Sequence, residues 1–136
     1  MIEISNTTKR KLPIQKLRKA IEEVLKHERH HAQMVSAVYC GDKFIKKINR
    51  TFLQHDYPTD TISFRLNEGR NVEGEFYISL DTVARNARQY KVSEEEELLR
   101  VTIHSVLHLV GYDDETEFQK KTMTQKENAY LTMLAY

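Results

Sequence analysis

The hydrophobic residues of this 136-residue sequence recur with two different periods. Five stretches place apolar side chains three or four positions apart, which is typical of helices with one buried face. The predicted helices are the stretch that opens at Leu12-Pro13 and carries Leu17, Ile21, Val24 and Leu25, the stretch of Phe44, Ile45, Ile48 and Phe52, residues 81–90, the helix that follows Ser93 and continues to 110, and residues 115–134. Residues 98–110 are apolar nearly all round, so we expect that helix to be central and buried.

Four other stretches alternate between apolar and polar residues or are continuously apolar, which predicts strands. They are residues 2–4, 34–39, 61–66 and 76–80. The short polar segment 67–71 predicts a hairpin connection, so the strands on either side of it should pair antiparallel. The order of elements predicts an α+β fold with a small mixed sheet of about four strands and about five helices, in a single domain over residues 1–136.

Polar residues mark the predicted starts of two helices. Asp42, directly after Gly41, is suited to cap the second helix. Ser93 has Glu96 three residues later, which is the pattern of a capping box. The acidic run 94–97 also suits the positive end of a helix dipole, so we interpret it as structural rather than as an acidic binding motif.

Composition favours a globular cytoplasmic protein. Four glycines and two prolines argue against extensive disorder. Cys40 is the lone cysteine, which excludes an internal disulfide and fits a reducing compartment. No apolar run approaches the roughly 20 residues needed to cross a bilayer, and the N-terminus lacks a signal-peptide pattern. We therefore expect cytoplasmic localisation and no membrane partner.

The net charge of +1 hides an asymmetry between the two parts of the chain. Residues 1–50 carry twelve basic and five acidic residues, whereas residues 51–136 carry nine basic and fifteen acidic ones. One interpretation is a basic surface for a polyanion such as RNA. The other is a set of solvated helix faces, because sequence blocks need not become surface patches.

The predicted central helix contains the main candidates for chemistry. His104 and His108 are four residues apart, which puts both imidazoles on one helix face. Gly111 permits the turn that ends a helix, so Asp114 can fold back to the same point. The spacing predicts a metal site, and the alternative is a histidine pair hydrogen-bonded to Asp113, Asp114 or backbone groups. Three further histidines lack partners at useful spacing and are interpreted as structural: His27, His30 and His31.

Two imidazoles and one carboxylate are a catalytic ligand set for zinc, with one position left for water. An ion held in this way makes water a nucleophile near neutral pH and polarises a carbonyl or phosphoryl group. Metalloproteases place a glutamate directly after the first histidine as the general base. Here that position is Ser105, which disfavours peptide hydrolysis.

Three segments of the sequence resemble motifs of the YbeY family of bacterial endoribonucleases. The resemblance extends over essentially the whole chain. HSVLHLVGYDD at residues 104–114 is similar to the family signature HGxLHLxGYDH. DYPTDTISF at 56–64 is similar to DxPTDVLSF, and GEFYIS at 74–79 to GDIxIS. The resemblance implies an α+β fold, a zinc site, and cleavage of single-stranded RNA in maturation of the 16S rRNA 3′ end. It also implies the small ribosomal subunit as a partner and a part in ribosome quality control.

The resemblance places His104 and His108 as the first two zinc ligands and Asp114 as the third, a position that is normally histidine. The carboxylate makes the ion less electrophilic and widens the site to harder ions such as manganese. Leu53 stands where the family often has an arginine that could stabilise charge on the phosphate. Three residues are candidates to replace that arginine: Arg50, His55 and Arg65.

The residues around the predicted ligands have open roles. Asp113 and Ser105 are candidates to orient the ligands or the water, and Asp113 is equally suited to cap the last helix. The loop of Pro58, Thr59 and Asp60 either positions the substrate or braces the fold. A basic N-terminal half would hold the RNA backbone, and no aromatic stacking motif is evident. The alternative functions are a ribosome-assembly or RNA-binding factor with a mainly structural metal and, less favoured, a metallopeptidase.

Overall fold

A computed structural model describes residues 1–53 and 59–136 of the chain. The elements in those residues are β1 (Ile2–Asn6), α1 (Ile14–His27), β2 (His31–Cys40), α2 (Asp42–Leu53), β3 (Thr61–Arg65), β4 (Asn71–Ser79), α3 (Leu80–Tyr90), α4 (Glu94–Leu109) and α5 (Glu117–Met133). The predicted α+β class, with a small sheet and its surrounding helices, is confirmed. Strands β2 and β4 begin earlier than predicted because His31 pairs with Asn71 at the start of both strands.

The sheet is mixed, with the strand order β1-β2-β4-β3. Strands β1, β2 and β4 are parallel to one another, whereas β3 runs antiparallel to β4. Ile62 lies opposite Tyr77 in that last pair, so the predicted hairpin is confirmed. The antiparallel edge strand β3 contacts α4, as β4 also does, and this arrangement positions the candidate site.

The main core lies on one face of the sheet. Val35, Ala37 and Tyr39 of β2 and Phe76 and Ile78 of β4 are fully buried there. Apolar residues of α1 and α4 pack over them. Complete burial of one aliphatic or aromatic side chain contributes roughly 1.5–3 kcal/mol, so this layer is the main source of stability.

Helix α4 is the central helix, as its sequence predicts. Ten of its 16 residues are buried, and it packs against α1, α3 and α5. Its buried polar side chain Thr102 is satisfied by the hydroxyl of Tyr39 at 2.9 Å. Only a narrow side of α4 therefore reaches solvent. Across residues 1–53 and 59–136, none of the helices combines the length and the apolar character needed to cross a membrane.

Strand β3 separates two environments because successive side chains of a strand point to opposite faces. Ile62 and Phe64 belong to a small second cluster beneath α2. Thr61 and Ser63 hydrogen-bond to Ser105 of α4, and Arg65 hydrogen-bonds to the Leu109 carbonyl of the same helix. The polar side of β3 thus faces the helix that carries the histidine pair.

Asp42 is the first residue of α2 rather than its cap, so that prediction is wrong. Its backbone N–H donates to the Asp81 carboxylate at 2.9 Å. Its own carboxylate accepts hydrogen bonds from Ser79 and Thr82 and pairs with Arg85 at 2.7 Å. Burial raises the Asp42 pKa, but the Arg85 guanidinium and the two hydroxyls outweigh it, so the pKa is lowered. The Asp42 carboxylate therefore links the start of α2 to the start of α3. These side-chain partners give it more hydrogen bonds than the single backbone N–H that it would bind as a helix cap.

The last two helices have well-defined caps. Ser93 caps α4 by accepting a hydrogen bond from the Glu96 N–H at 3.0 Å, as predicted. Helix α5 begins with a reciprocal capping box between Thr116 and Gln119. The interpretation of Asp113 as the cap of this helix is therefore wrong, since Thr116 occupies that position.

Candidate metal centre

His104 and His108 emerge from the one side of α4 that faces solvent. Their rings meet edge to face, with centroids 4.6 Å apart. The two Nε2 atoms are 3.1 Å apart and point to the same place. The helix supplies this arrangement because side chains four residues apart lie one above the other.

The turn after α4 brings Asp114 back to the histidines. Gly111 has φ 107°, a conformation that glycine adopts without strain. The Gly111 N–H donates to the His108 carbonyl and the Tyr112 N–H to the Leu107 carbonyl, which is the Schellman pattern that closes a helix. After this reversal one Asp114 carboxylate oxygen lies 3.3 Å from His104 Nε2 and 3.5 Å from His108 Nε2.

The spacing of these three atoms fits one tetrahedral ion. Zinc bonds to imidazole nitrogen and carboxylate oxygen are about 2.0–2.1 Å long, so two tetrahedral ligand atoms lie roughly 3.3–3.4 Å apart. The three separations of 3.1, 3.3 and 3.5 Å bracket that value. Among the described residues, His104, His108 and Asp114 form the one group of three or more candidate ligands that could hold a metal.

Glu127 of α5 binds the ring nitrogen of His104 that does not face the candidate metal position. Its carboxylate accepts a hydrogen bond from His104 Nδ1 at 2.7 Å, and Arg100 donates to its other oxygen at 3.1 Å. A proton fixed on Nδ1 leaves the Nε2 lone pair for a metal. Burial lowers the pKa of His104, but the Glu127 hydrogen bond and the nearby carboxylates outweigh it, so the pKa is raised.

Glu127 was not predicted from the sequence, although a signal for it exists. Met123, Glu127, Tyr130 and Leu131 are the buried residues of α5, spaced as one face of a helix. An acidic residue at a core position of that face needs a partner, because a buried charge without one is costly. The pattern indicates an important carboxylate, but it does not reveal which histidine lies opposite.

A second carboxylate anchors the turn that carries Asp114. Glu28, just after α1, accepts hydrogen bonds from the hydroxyls of Tyr112 (2.7 Å) and Tyr130. Lys126 pairs with the same carboxylate at 3.1 Å and lies over the Tyr112 ring. Burial raises the Glu28 pKa, but the two hydroxyls and the lysine outweigh it, so the pKa is lowered. The ends of α1 and α5 thereby hold the turn in place.

The three candidate ligands open into a cleft of about 490 Å³. Its walls include Asn49 and Leu53 of α2, the polar side of β3, and Asp60 and Asp113 from the loops. Asp113 is exposed and adjoins the ligands, so a role in orienting water or substrate stays a prediction. Leu53 is at the wall of this cleft, where the family often has an arginine.

Ser105 lies beside the site but faces away from it. It is fully buried, and its hydroxyl donates to the Val101 carbonyl at 2.8 Å and contacts Thr61 Oγ1 at 2.7 Å. These bonds fasten α4 to β3. Any influence of Ser105 on the ligands acts through the placement of the helix.

The structure gives different surroundings to the candidates that could replace the family's arginine. Arg65 donates to the Leu109 carbonyl at 2.6 Å and also contacts Asn67 and the Gly69 carbonyl. It therefore closes the end of α4 while lining the cleft. Arg50 is exposed on α2. The third candidate, His55, lies outside the described residues. In the predicted loop Pro58 also lies outside them, whereas Thr59 and Asp60 line the cleft.

Two of the three histidines interpreted as structural, His27 and His30, have local partners for their side chains. His27 lies 3.2 Å from the Glu23 carboxylate, and His30 Nδ1 lies 2.6 Å from the Glu28 carbonyl. His31 begins β2. These contacts support their interpretation as structural residues.

Comparison with known proteins places the chain in a family. The sequence model of the family described as Endoribonuclease YbeY matches residues 3–135. The Endoribonuclease YbeY of Chloroherpeton thalassium is 64% identical over 133 residues, covering 98% of this chain and 94% of that protein. The protein of the same name from Chlorobium luteolum is 53% identical over 133 residues, covering 98% and 97%.

The fold also matches a solved structure. A solution structure of a Thermotoga maritima protein aligns with a TM-score of 0.74 and 35% identity, covering 98% of this chain and 89% of that one. The family model, the curated relatives and this structure each cover nearly the whole chain. The resemblance seen in the three sequence motifs is thus confirmed, and the chain belongs to the YbeY endoribonuclease family.

Proposed function

We propose that this protein is a zinc-dependent endoribonuclease that hydrolyses single-stranded RNA. The observation that carries the proposal is the convergence of His104 Nε2, His108 Nε2 and an Asp114 oxygen at tetrahedral spacing beside an open cleft. Membership of a family named for endoribonuclease activity supports the same reaction. We also propose ribosomal RNA of the small subunit as the substrate and the cytoplasm as the location.

The residues of the site have separate tasks in this proposal. His104, His108 and Asp114 would hold the ion, which supplies Lewis acidity for a phosphoryl oxygen and for the ionisation of water near neutral pH. Glu127 keeps the His104 ring in one orientation and one tautomer. The Gly111 turn and its anchor at Glu28 keep Asp114 within reach of both imidazoles.

The Asp114 carboxylate sets this chain apart from the usual three-histidine set. It adds a negative charge, so the bound ion should be less electrophilic than in a three-imidazole site. Carboxylate oxygen is also a better ligand for hard ions such as manganese than imidazole is. We therefore propose zinc as the native ion and expect the site to accept manganese as well.

Three ligands beside a cleft favour a catalytic ion over a structural one. Structural zinc sites are closed by four protein ligands, whereas catalytic sites keep a position open. A purely RNA-binding factor is the second candidate, and it predicts RNA binding without metal-dependent cleavage. A metallopeptidase is disfavoured because Ser105, at the position of the usual general base, is buried and turned away.

The decisive experiment combines elemental analysis with cleavage of a short single-stranded RNA by wild type and two alanine variants. Asp114→Ala removes a candidate ligand, and Asp113→Ala removes the adjacent carboxylate of the same cleft as a matched control for metal content. We expect about one zinc per chain in wild type and in Asp113→Ala. In Asp114→Ala both the metal content and the cleavage should fall.

The other outcomes are equally informative. Equal metal in wild type and Asp114→Ala would remove Asp114 from the site. Metal loss only in Asp113→Ala would identify the neighbouring carboxylate as the ligand. Cleavage that persists after the metal is stripped with a chelator would refute the metal-dependent reaction and favour the RNA-binding factor.

A further inference from the structure

Helix α2 is strongly basic and runs from the candidate metal cleft to a second groove. It carries four cations, Lys43, Lys46, Lys47 and Arg50. Its single acid, Asp42, is paired with Arg85 of α3 at 2.7 Å. Lys43 and Lys47 are exposed on the side of α2 that faces solvent, so this side is positively charged and a polyanion complements it.

The two ends of α2 border different depressions of the surface. Asn49 and Leu53, near its C-terminal end, line the cleft that contains the candidate ligands. Lys43 and Lys47, near its N-terminal end, line an open groove of about 490 Å³ together with Thr7. A helix of this length extends about 18 Å, which is room for several consecutive phosphates of a nucleic-acid strand.

Two aromatic side chains of α2 also remain exposed, and one of them lies beside the cations. Phe44 and Phe52 are 41% and 62% exposed. Phe44 lines the same groove as Lys43 and Lys47, whereas Phe52 projects from the other side of the helix. Each has a neighbour that supports one side of the ring: Phe44 lies 6.2 Å from Tyr77, and Phe52 meets Phe64 edge to face at 5.6 Å. Exposed rings of this kind are costly in water, whereas nucleic-acid bases stack on them favourably.

We propose that Lys43, Lys47 and Phe44 form a track on α2 that binds the single-stranded RNA upstream or downstream of the scissile phosphate. The cations contact the backbone, and Phe44 stacks on a base. This inference rests on the proposed function, because α2 runs from this groove to the candidate catalytic cleft. Its basis is that two cations and an exposed ring line one groove, at the opposite end of the helix from the cleft.

The test measures binding and cleavage of a labelled oligouridine by the zinc-loaded protein. Lys43→Ala/Lys47→Ala removes two cations from the track, and Phe44→Leu removes the ring while keeping an apolar contact with Tyr77. The charge control is Lys19→Ala/Lys26→Ala on α1, which packs on the opposite face of the sheet. Tyr90→Leu, at the exposed end of α3, is the ring control.

We expect each track variant to raise the Kd and the KM while metal content and melting temperature stay unchanged. Loss of two phosphate contacts should reduce the slope of log affinity against log salt by about 1.4. Phe44→Leu should weaken binding about five-fold or more without changing that slope. Both control variants should match wild type.

The failures of this inference and of the proposed function are distinguishable. Wild type that binds the RNA but does not cleave it contradicts the proposed function and leaves the binding test intact. Track variants that bind as wild type does, or that lose no more affinity than the α1 control, would overturn the track. A dimer that Phe44→Leu abolishes, without a change in RNA affinity, would assign the surface to a second copy and overturn it as well.

Discussion

Replacing Glu97 by glutamine should stabilise this protein, and the gain should depend on pH. Glu97 lies in the first turn of α4 and is only 5% exposed. Burial raises its pKa to about 7; Arg100 lowers it, and the nearby carboxylates of Asp60 and Glu127 raise it. In the unfolded chain the same group titrates near 4.5.

The direction in which stability changes with pH follows from the number of protons that the folded and unfolded states bind. Between pH 4.5 and about 7 the unfolded chain has released the Glu97 proton while the folded protein retains it, so wild-type stability falls as the pH rises. Above pH 7 the loss is complete, and below 4.5 it is absent. The shift corresponds to a ceiling of about 3 kcal/mol, and we expect about 1–3 kcal/mol after local relaxation.

Urea denaturation of the zinc-loaded protein at pH 5 and pH 8 measures this effect. The free energy of unfolding of Glu97→Gln should exceed that of wild type at pH 8 and approach it at pH 5. Glu96→Gln, in the same turn but more accessible to water, controls for the loss of a negative charge at the helix start. A glutamine variant that is no more stable than wild type at pH 8, or whose gain is equal at both pH values, would refute the reasoning.

Three further predictions concern the surroundings of the site. Glu127→Gln should weaken zinc binding about 10–100-fold in a chelator competition, because His104 loses its charged partner; unchanged affinity would contradict this. Gly74→Ala should cost about 1–3 kcal/mol in urea denaturation, since a new Cβ would lie 2.9 Å from a leucine side chain of α4 and 3.0 Å from a backbone carbonyl. Wild-type stability of that variant would show that the strand shifts freely. Tyr112→Phe should cost about 1–3 kcal/mol by removing a hydrogen bond to the Glu28 carboxylate, and it should also lower zinc affinity; a loss of stability with full zinc affinity would show that the anchor does not position the turn.

The elements of the fold were predictable because local periodicity reports which side of each segment is buried. The central helix is an example, since its continuous apolar character corresponds to burial on most sides. The early starts of β2 and β4 were not predictable, because His31 and Asn71 are strand residues only through their pairing with each other. The position of Asp42 was wrong for a similar reason: its partners are on α3, and no local pattern indicates them.

The candidate ligands were predictable because their geometry depends only on a short stretch of sequence. His104, His108 and Asp114 are close in sequence, and the spacing and the glycine between them report their geometry. Glu127 and Glu28 act on the same site from 23 and 84 residues away, through bonds to His104 and Tyr112. Contacts between residues so far apart in the sequence cannot be predicted from local patterns, although the buried position of Glu127 on α5 gives a partial signal.

The compactness of the ligand set in the sequence has a consequence for measurement. All three candidate ligands fall within eleven consecutive residues, so closing the loop between them costs little chain entropy even without the fold. The denatured chain should therefore retain some affinity for zinc, and a metal that binds both states stabilises the native one less than its affinity implies. The rise in melting temperature on adding zinc will accordingly understate the strength of the native site. A titration of the folded protein against a competing chelator measures that strength directly.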